Sequence, residues 1–371
     1  MYFFSYISLL FWPIAIGVII WRVVHARNSK KAAAGDESAV AKSMNSQIAV
    51  SKEDALSQLF LVLGVVFVGV TLIALNREIG DPVGWRWIVF VTTVIAMAGA
   101  YWQRAVGLLI IGIAGIVTWF SSMLYLWSSS KSVAGAASFV ALALLAVLFF
   151  TIGRLHESFF SSKRFALVYS GLGLLSVTGI LFMMSTQIGI GLLQEMAKGA
   201  PFSASGPLAT VLFVLTIAIL GTAFAGFGKK LFHVWEIVAV VLLTLLFGSS
   251  LLISQGTTMT TGYSFFGSSA SLTGDGVMWA VIYNIAIFVE LVALIFAGYT
   301  RKEPWMVNLG TLCLFLLIFV KYFDWFFSFM DKSVFFIGAG ILLFLLGWGM
   351  EKGRRYTLDS MKAQTISQLS Q

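Results

Sequence analysis

Residues 305–355, WMVNLGTLCLFLLIFVKYFDWFFSFMDKSVFFIGAGILLFLLGWGMEKGRR, read as two apolar helices joined by a tight polar turn and closed by a basic cluster. Each apolar run is about 20 residues long, the length that crosses a hydrocarbon core roughly 30 Å thick at 1.5 Å rise per residue. The first run ends in Lys321-Tyr322-Phe323-Asp324. That spacing puts an ammonium and a carboxylate on one helix face, close enough to pair. The second run ends in Lys352, Arg354 and Arg355. Repeated along the chain, this pattern decides the fold.

The whole sequence agrees with that reading. Of 371 residues, 59% are hydrophobic and 11% charged, and the mean hydropathy is +0.94. A soluble core has no room for that much apolar surface, whereas lipid does. Inside a bilayer only helices and closed barrels satisfy their own backbone groups, and the runs here are too long and too continuous for barrel strands. The net charge of +8 would point to nucleic acid in a soluble protein. Here the excess of cations in cytoplasmic loops accounts for it, and no nucleic-acid partner is expected. The single cysteine, Cys313, falls within an apolar run, so no intramolecular disulfide is expected. The start, MYFFSYISLLFWPIAIGVIIWRVV, lacks a basic leader and a small-residue cleavage site, and reads as a retained helix.

Eleven runs qualify as spans: 3–22, 57–76, 86–102, 105–127, 133–152, 165–184, 207–227, 234–253, 277–298, 305–325 and 333–350. The expected fold class is therefore all-α, a polytopic transmembrane helical bundle. Its parts are a first transmembrane helix at 1–22, a cytoplasmic linker at 23–56, a bundle of about ten spans at 57–350 and a basic cytoplasmic tail at 351–371. Pro13 should kink the first span. Gln103-Arg104 leaves almost no turn between the third and fourth, so those two shift or merge easily. Within the linker, Ser51-Lys52-Glu53-Asp54 has the composition of a helix start.

Orientation follows from lysine and arginine alone. With the N-terminus outside, every one of the 24 cationic residues except Arg77, Arg86, Lys131, Lys198, Lys321 and Lys332 falls on the cytoplasmic side. Dropping one span inverts the sorting downstream. N-out and C-in is the expected arrangement. The longest outer loops are then 185–206 and 254–276, the second rich in Gly, Ser and Thr. Tryptophans 85, 87, 102, 127, 279, 305 and 348 lie near span ends, where an interfacial aromatic belt needs no ligand to explain it. The steps Gly112-Ile113-Ala114-Gly115, Gly221 to Ala225 and Gly338-Ala339-Gly340 offer small residues for close helix approach.

The candidate polar site begins with Glu290, the one carboxylate well inside a span. About 13 residues separate it from the outer end of its helix, a depth of about 20 Å. A charge there is costly, so the group should face the bundle interior or carry a proton. Tyr283 stands one heptad before it, with Asn284 beside. The functional reading is a proton or cation site; the plain one is a neutral carboxyl bonded to another helix for packing. A wet cavity at Glu290 favours the first, and a dry contact with one neighbouring helix the second. Lys321 and Asp324, near the outer end of their span, read either as the lining of an outward cavity or as a local pair whose lysine reaches to the headgroups. Their depth differs from that of Glu290 by about 10 Å, so direct pairing is not expected.

The histidines offer less. His25, His156 and His233 all fall on the cytoplasmic side and show no ligand spacing, so no metal is expected and solvated loop positions are the default. His156 with Glu157, and His233 with Glu236, are placed for local pairs. No HExxH, Walker loop, GxSxG or paired-Cys motif occurs in a fitting context. The Gly-Ile-Gly at 189–191 and the Gly-Phe-Gly at 226–228 lack the strand-and-helix setting of a nucleotide site. No cofactor is expected.

The C-terminal quarter carries a resemblance. The lead-in from Tyr283, Gly298-Tyr299-Thr300-Arg301-Lys302, Val307-Asn308-Leu309-Gly310, Lys321-Tyr322-Phe323-Asp324, Phe336-Ile337-Gly338 and Glu351-Lys352-Gly353-Arg354-Arg355 form the pattern. It resembles the carboxyl end of a bacterial family of integral-membrane proteins, domain of unknown function 2157. That family more often has arginine at the position of Lys321. The resemblance implies a bacterial cytoplasmic (inner) membrane protein and carries over no catalytic residue.

Three functions fit these features. The first is a small-solute or ion transporter of permease type using Glu290 and the Lys321/Asp324 face. Such proteins usually break helices at matching positions of two repeats, and only isolated Gly-rich stretches are visible. The second is a structural or assembly protein acting through helix–helix partners, a second membrane protein or another copy of the chain. The third is a membrane-embedded enzyme on lipid-linked substrates, which needs polar residues clustered at one interface. The missing motifs point away from a soluble-type enzyme.

Overall fold

The computed structural model describes residues 52–128, 134–159, 163–196, 206–229, 231–252, 262–264, 267–269, 274–301, 303–326 and 332–369. The expected first span with Pro13, the linker up to residue 51 and His25 lie outside the described residues.

Among the described residues eleven α-helices follow one another: α1 (Lys52–Glu78), α2 (Trp85–Gln103), α3 (Val106–Ser128), α4 (Ala134–Phe159), α5 (Lys163–Met184), α6 (Gln187–Met196), α7 (Gly206–Gly228), α8 (Val234–Ser249), α9 (Gly274–Thr300), α10 (Pro304–Phe326) and α11 (Lys332–Leu369). A 3-10 turn, Ser250–Leu252, follows α8. The only strands among the described residues are β1 (Gly262–Ser264) and β2 (Gly267–Ser269), an antiparallel hairpin that pairs Tyr263 with Ser268.

Nine of the helices among the described residues are long and apolar enough to cross a membrane. They match the expected spans from 57–76 onward, except 86–102. That span forms α2, but Arg86 and the aromatic and amide residues at its ends dilute its apolarity. The short helix α6 was not foreseen, and α11 carries on as helix through the expected basic tail to Leu369. The Gln103-Arg104 junction keeps α2 and α3 apart. Arg104 adopts the left-handed conformation, φ 53°, and its backbone N–H caps Ala100 O, as a helix-ending residue does. The link from α1 to α2 is built on Asn76, whose side chain bonds Asp81 and both backbone groups of Val83 while Gly80 and Asp81 take positive φ.

By internal packing the chain divides into two units. The first holds Met1–Ser176 and Ala204–Gly248, hence α1 to α4, most of α5, α7 and α8. Its most enclosed helix is α4, with 72% of its span buried against 11% for α1. Glycines set the closest approaches: a Cβ on Gly153 would meet the backbone of Ser170, and one on Gly173 the backbone of Phe150. Gly112 and Gly115 likewise lie against Met97 and Thr93, drawing α3 onto α2. Gly221, by contrast, has open space around it and makes no close contact, contrary to the small-residue expectation.

The second unit holds Val177–Ser203 and Ser249–Gln371, hence the end of α5, α6, α9, α10 and α11. Helix α9 buries Trp279, Tyr283, Ile287, Leu291 and Leu294, a stripe at three- and four-residue spacing. Trp279 is therefore packed in protein rather than standing in an aromatic belt. Gly298 and Gly310 bring α9 and α10 together against Val307 and Ile295. Gly338 abuts the Tyr322 hydroxyl, while Gly340 faces open space.

Both units are apolar on the outside. Phe60 and Phe67 are 70% and 75% exposed, and Phe213, Phe224, Phe296 and Phe344 are exposed as well. Buried positions include Thr93, Thr151, Arg154, His156, Thr178, Gln194 and Glu236. In water such continuous apolar faces would associate. This pattern is compatible with lipid as the surrounding solvent.

Candidate functional site

The polar residues of the second unit collect along one face of α5. Thr178 and Ser185 stand seven residues apart, so their side chains share a face and lie about 10 Å apart along the axis. Helix α9 meets this face antiparallel to it: Asn284 reaches Ser185, and Glu290 reaches Thr178.

At the deeper position Thr178 Oγ1 donates a 2.6 Å hydrogen bond to Glu290 Oε1. Glu290 is partly exposed as a residue, yet its Oε2 is buried and has no partner among the described residues. The Thr178 bond is the contact a packing carboxyl would make. The orphaned oxygen is not, because buried acceptors are normally satisfied. Tyr283, one heptad away, is fully buried with Ser250 as its polar neighbour. The free thiol of Cys313 on α10 lies within electrostatic reach of the Glu290 carboxyl.

At the second position the chain breaks. Helix α5 ends at Met184 and α6 starts at Gln187. Thr186 caps α6, its Oγ1 accepting the Gly189 N–H at 3.1 Å, the usual N-cap geometry. Gly189 fits because a side chain there would collide with the Met183 carbonyl. The last carbonyls of a helix lack intrahelical partners. That of Ser185, itself buried, receives Asn284 Nδ2 at 3.0 Å and the ammonium of Lys321. Asn284 also donates to Ala280 O on its own helix.

Lys321 thus reaches a backbone carbonyl at the end of α5. The side chain of Asp324 lies outside the described residues, and with it the expected Lys321–Asp324 pair. Glu290 and Lys321 address α5 one heptad apart, as their difference in depth requires. The end of α5 at Met184 agrees with the expected span 165–184, whereas α6 was missed within the expected outer loop 185–206. The Ser-Thr step ahead of Gly189 was the one local hint.

The histidines stand differently from expectation. His156 is buried rather than solvated, because α4 continues through it to Phe159 and α2 and α5 close over it. Its Nδ1 lies 3.0 Å from Ile152 O, and its Nε2 2.8 Å from Tyr101 Oη, which is itself 3.2 Å from Tyr169 Oη. A carbonyl only accepts, so Nδ1 carries the proton, and in the neutral ring Nε2 accepts from Tyr101. Glu157 pairs with Arg154. His233 stacks on Trp235, and its backbone N–H donates to Glu236 at 2.9 Å. No group of His, Cys, Asp or Glu among the described residues is placed to hold a metal. A groove of about 360 Å³ in the first unit, lined by Phe90, Val94, Met97, Tyr101 and Trp119, is almost wholly apolar and gathers no chemistry.

No family model, curated protein or solved structure matches the chain. The resemblance of residues 283–355 to family 2157 therefore rests on the quoted residues alone.

Proposed function

We propose that the chain is a multi-pass protein of the bacterial inner membrane, with eleven spans, N-out and C-in, that works as a small-solute or ion permease with Glu290 as its proton-binding group. One observation carries the reading: a carboxyl with a buried, unsatisfied oxygen lies one heptad from the helix end that Lys321 and Asn284 converge on. Ionisable groups at such depth tend to mark ion and substrate paths. Tyr283 and Asn284 belong to the same stretch of α9. The cation bias of the loops supports the orientation. Replacing Glu290 with Gln is expected to abolish pH-dependent solute flux in proteoliposomes while membrane expression holds. Unchanged flux rejects the proton site.

A second reading has one observation in its favour. Thr178 lies on a single neighbouring helix, as a carboxyl that only packs would require. On that reading the protein is an assembly factor held by helix–helix contacts. Crosslinking in native membranes then recovers a reproducible partner, and a strictly monomeric product counts against it.

A further inference from the structure

We infer that the C-terminal end of α5 is a monovalent-cation site whose resident cation is the Lys321 ammonium. The argument starts from the backbone. The carbonyl end of a helix carries roughly half a negative charge, felt most strongly where water is excluded. In α5 three neighbouring carbonyls are already used: Leu181 O accepts the Ser185 N–H, Phe182 O the Ser185 hydroxyl, and Met183 O the Thr186 hydroxyl. Ser185 O is the acceptor that α9 and α10 reach. A chain that simply needed this carbonyl satisfied has a neutral donor there in Asn284. Lys321 brings a full positive charge to the same atom from 136 residues away.

Placing a charge so close to an apolar span is expensive unless the site itself is electronegative. Half-helix carbonyl ends in membranes hold sodium ions and protons for the same reason. Here an ammonium on a four-carbon tether supplies that charge, so the α5–α6 junction needs no ion from solution. The assignment is independent of whether Glu290 carries protons, because it concerns a different atom and a different charge.

Chemical rescue tests it. The full-length Lys321→Ala protein, purified in detergent, is melted in choline chloride and in methylammonium, ammonium or sodium chloride at equal ionic strength. The expected result is a lowered melting temperature in choline, of which at least half returns with one of the small cations, and no such return for the wild type. Asn284→Ala added to Lys321→Ala should weaken the rescue. Wild-type stability of Lys321→Ala in choline, or no recovery with any small cation, overturns the assignment. Should Lys321→Ala fail to fold, Lys321→Arg and Lys321→Gln decide. Arginine keeps the charge and is expected to melt near the wild type, whereas glutamine keeps only a neutral donor and melts lower. Equal stability of the two overturns the assignment.

Discussion

Thr178 on α5 donates to the Glu290 carboxyl on α9 across 112 residues of chain, leaving Oε2 buried and without a partner among the described residues. The bond joins two helices, so it is measurable as a coupling. A double-mutant cycle with Thr178→Val and Glu290→Leu is expected to give a coupling energy of about 1 kcal/mol, the usual range for interhelical hydrogen bonds in lipid. Unfolding in mixed micelles measures it. Additive single effects would mean the bond contributes nothing to stability.

Cys313 serves as a built-in reporter, being the single cysteine of the chain and lying on α10, which packs against α9, the helix of Glu290. If the carboxyl communicates with water during transport, a charged, membrane-impermeant thiosulfonate labels Cys313 in proteoliposomes. Labelling by a permeant maleimide alone is the outcome expected of a dry packing contact. Mass spectrometry of the intact protein separates the two.

Gly171 and Gly173 stand two residues apart on α5 in opposite surroundings. A methyl group on Gly173 would run into the backbone of Phe150, which has no side-chain freedom to yield, whereas Gly171 faces open space. Gly173→Ala is expected to cost roughly 1–3 kcal/mol by overpacking. Gly171→Ala should be neutral or slightly stabilising, since alanine is the better helix former. Thermal melts of the two variants check the contrast, and equal effects would show that α4 and α5 are not held at this contact.

Tyr101 is the middle member of a chain from Tyr169 to His156. Tyr101→Phe removes two hydrogen bonds and Tyr169→Phe removes one. At about 1 kcal/mol per bond, the first variant should lose about twice the stability of the second. Equal melting temperatures would show that the hydroxyl network does not hold these helices.

The proposed topology is checked by reporter fusions. A fusion after Gln371 is expected to report the cytoplasm, and one ahead of Met1 the opposite side. Both termini on one side would reject the eleven-span arrangement and the sidedness given to Ser185 and Lys321.

How much of this was legible beforehand differs from element to element. The helices from residue 57 onward coincide with the apolar runs because a lipid-length helix writes its own length into composition. Start and stop signals were readable too: Ser51-Lys52-Glu53-Asp54 precedes α1, which begins at Lys52. Arg104 closes α2 where Gln103-Arg104 promised only a short turn. The buried oxygen of Glu290 accords with its position in a span, although its Thr178 partner was not legible there.

What the sequence determined, then, is the set of helices and their apolar surroundings, since both depend on residues adjacent in the chain. Tertiary structure alone decided that His156 is enclosed, that Gly173 is crowded and Gly221 is not, and that α6 follows α5 directly. In lipid the apolar residues cover every face of a helix, so periodicity no longer tells which face meets a neighbour. The Ser185 carbonyl is met by Asn284 and Lys321 from 99 and 136 residues away, and no local pattern encodes a bond of that reach.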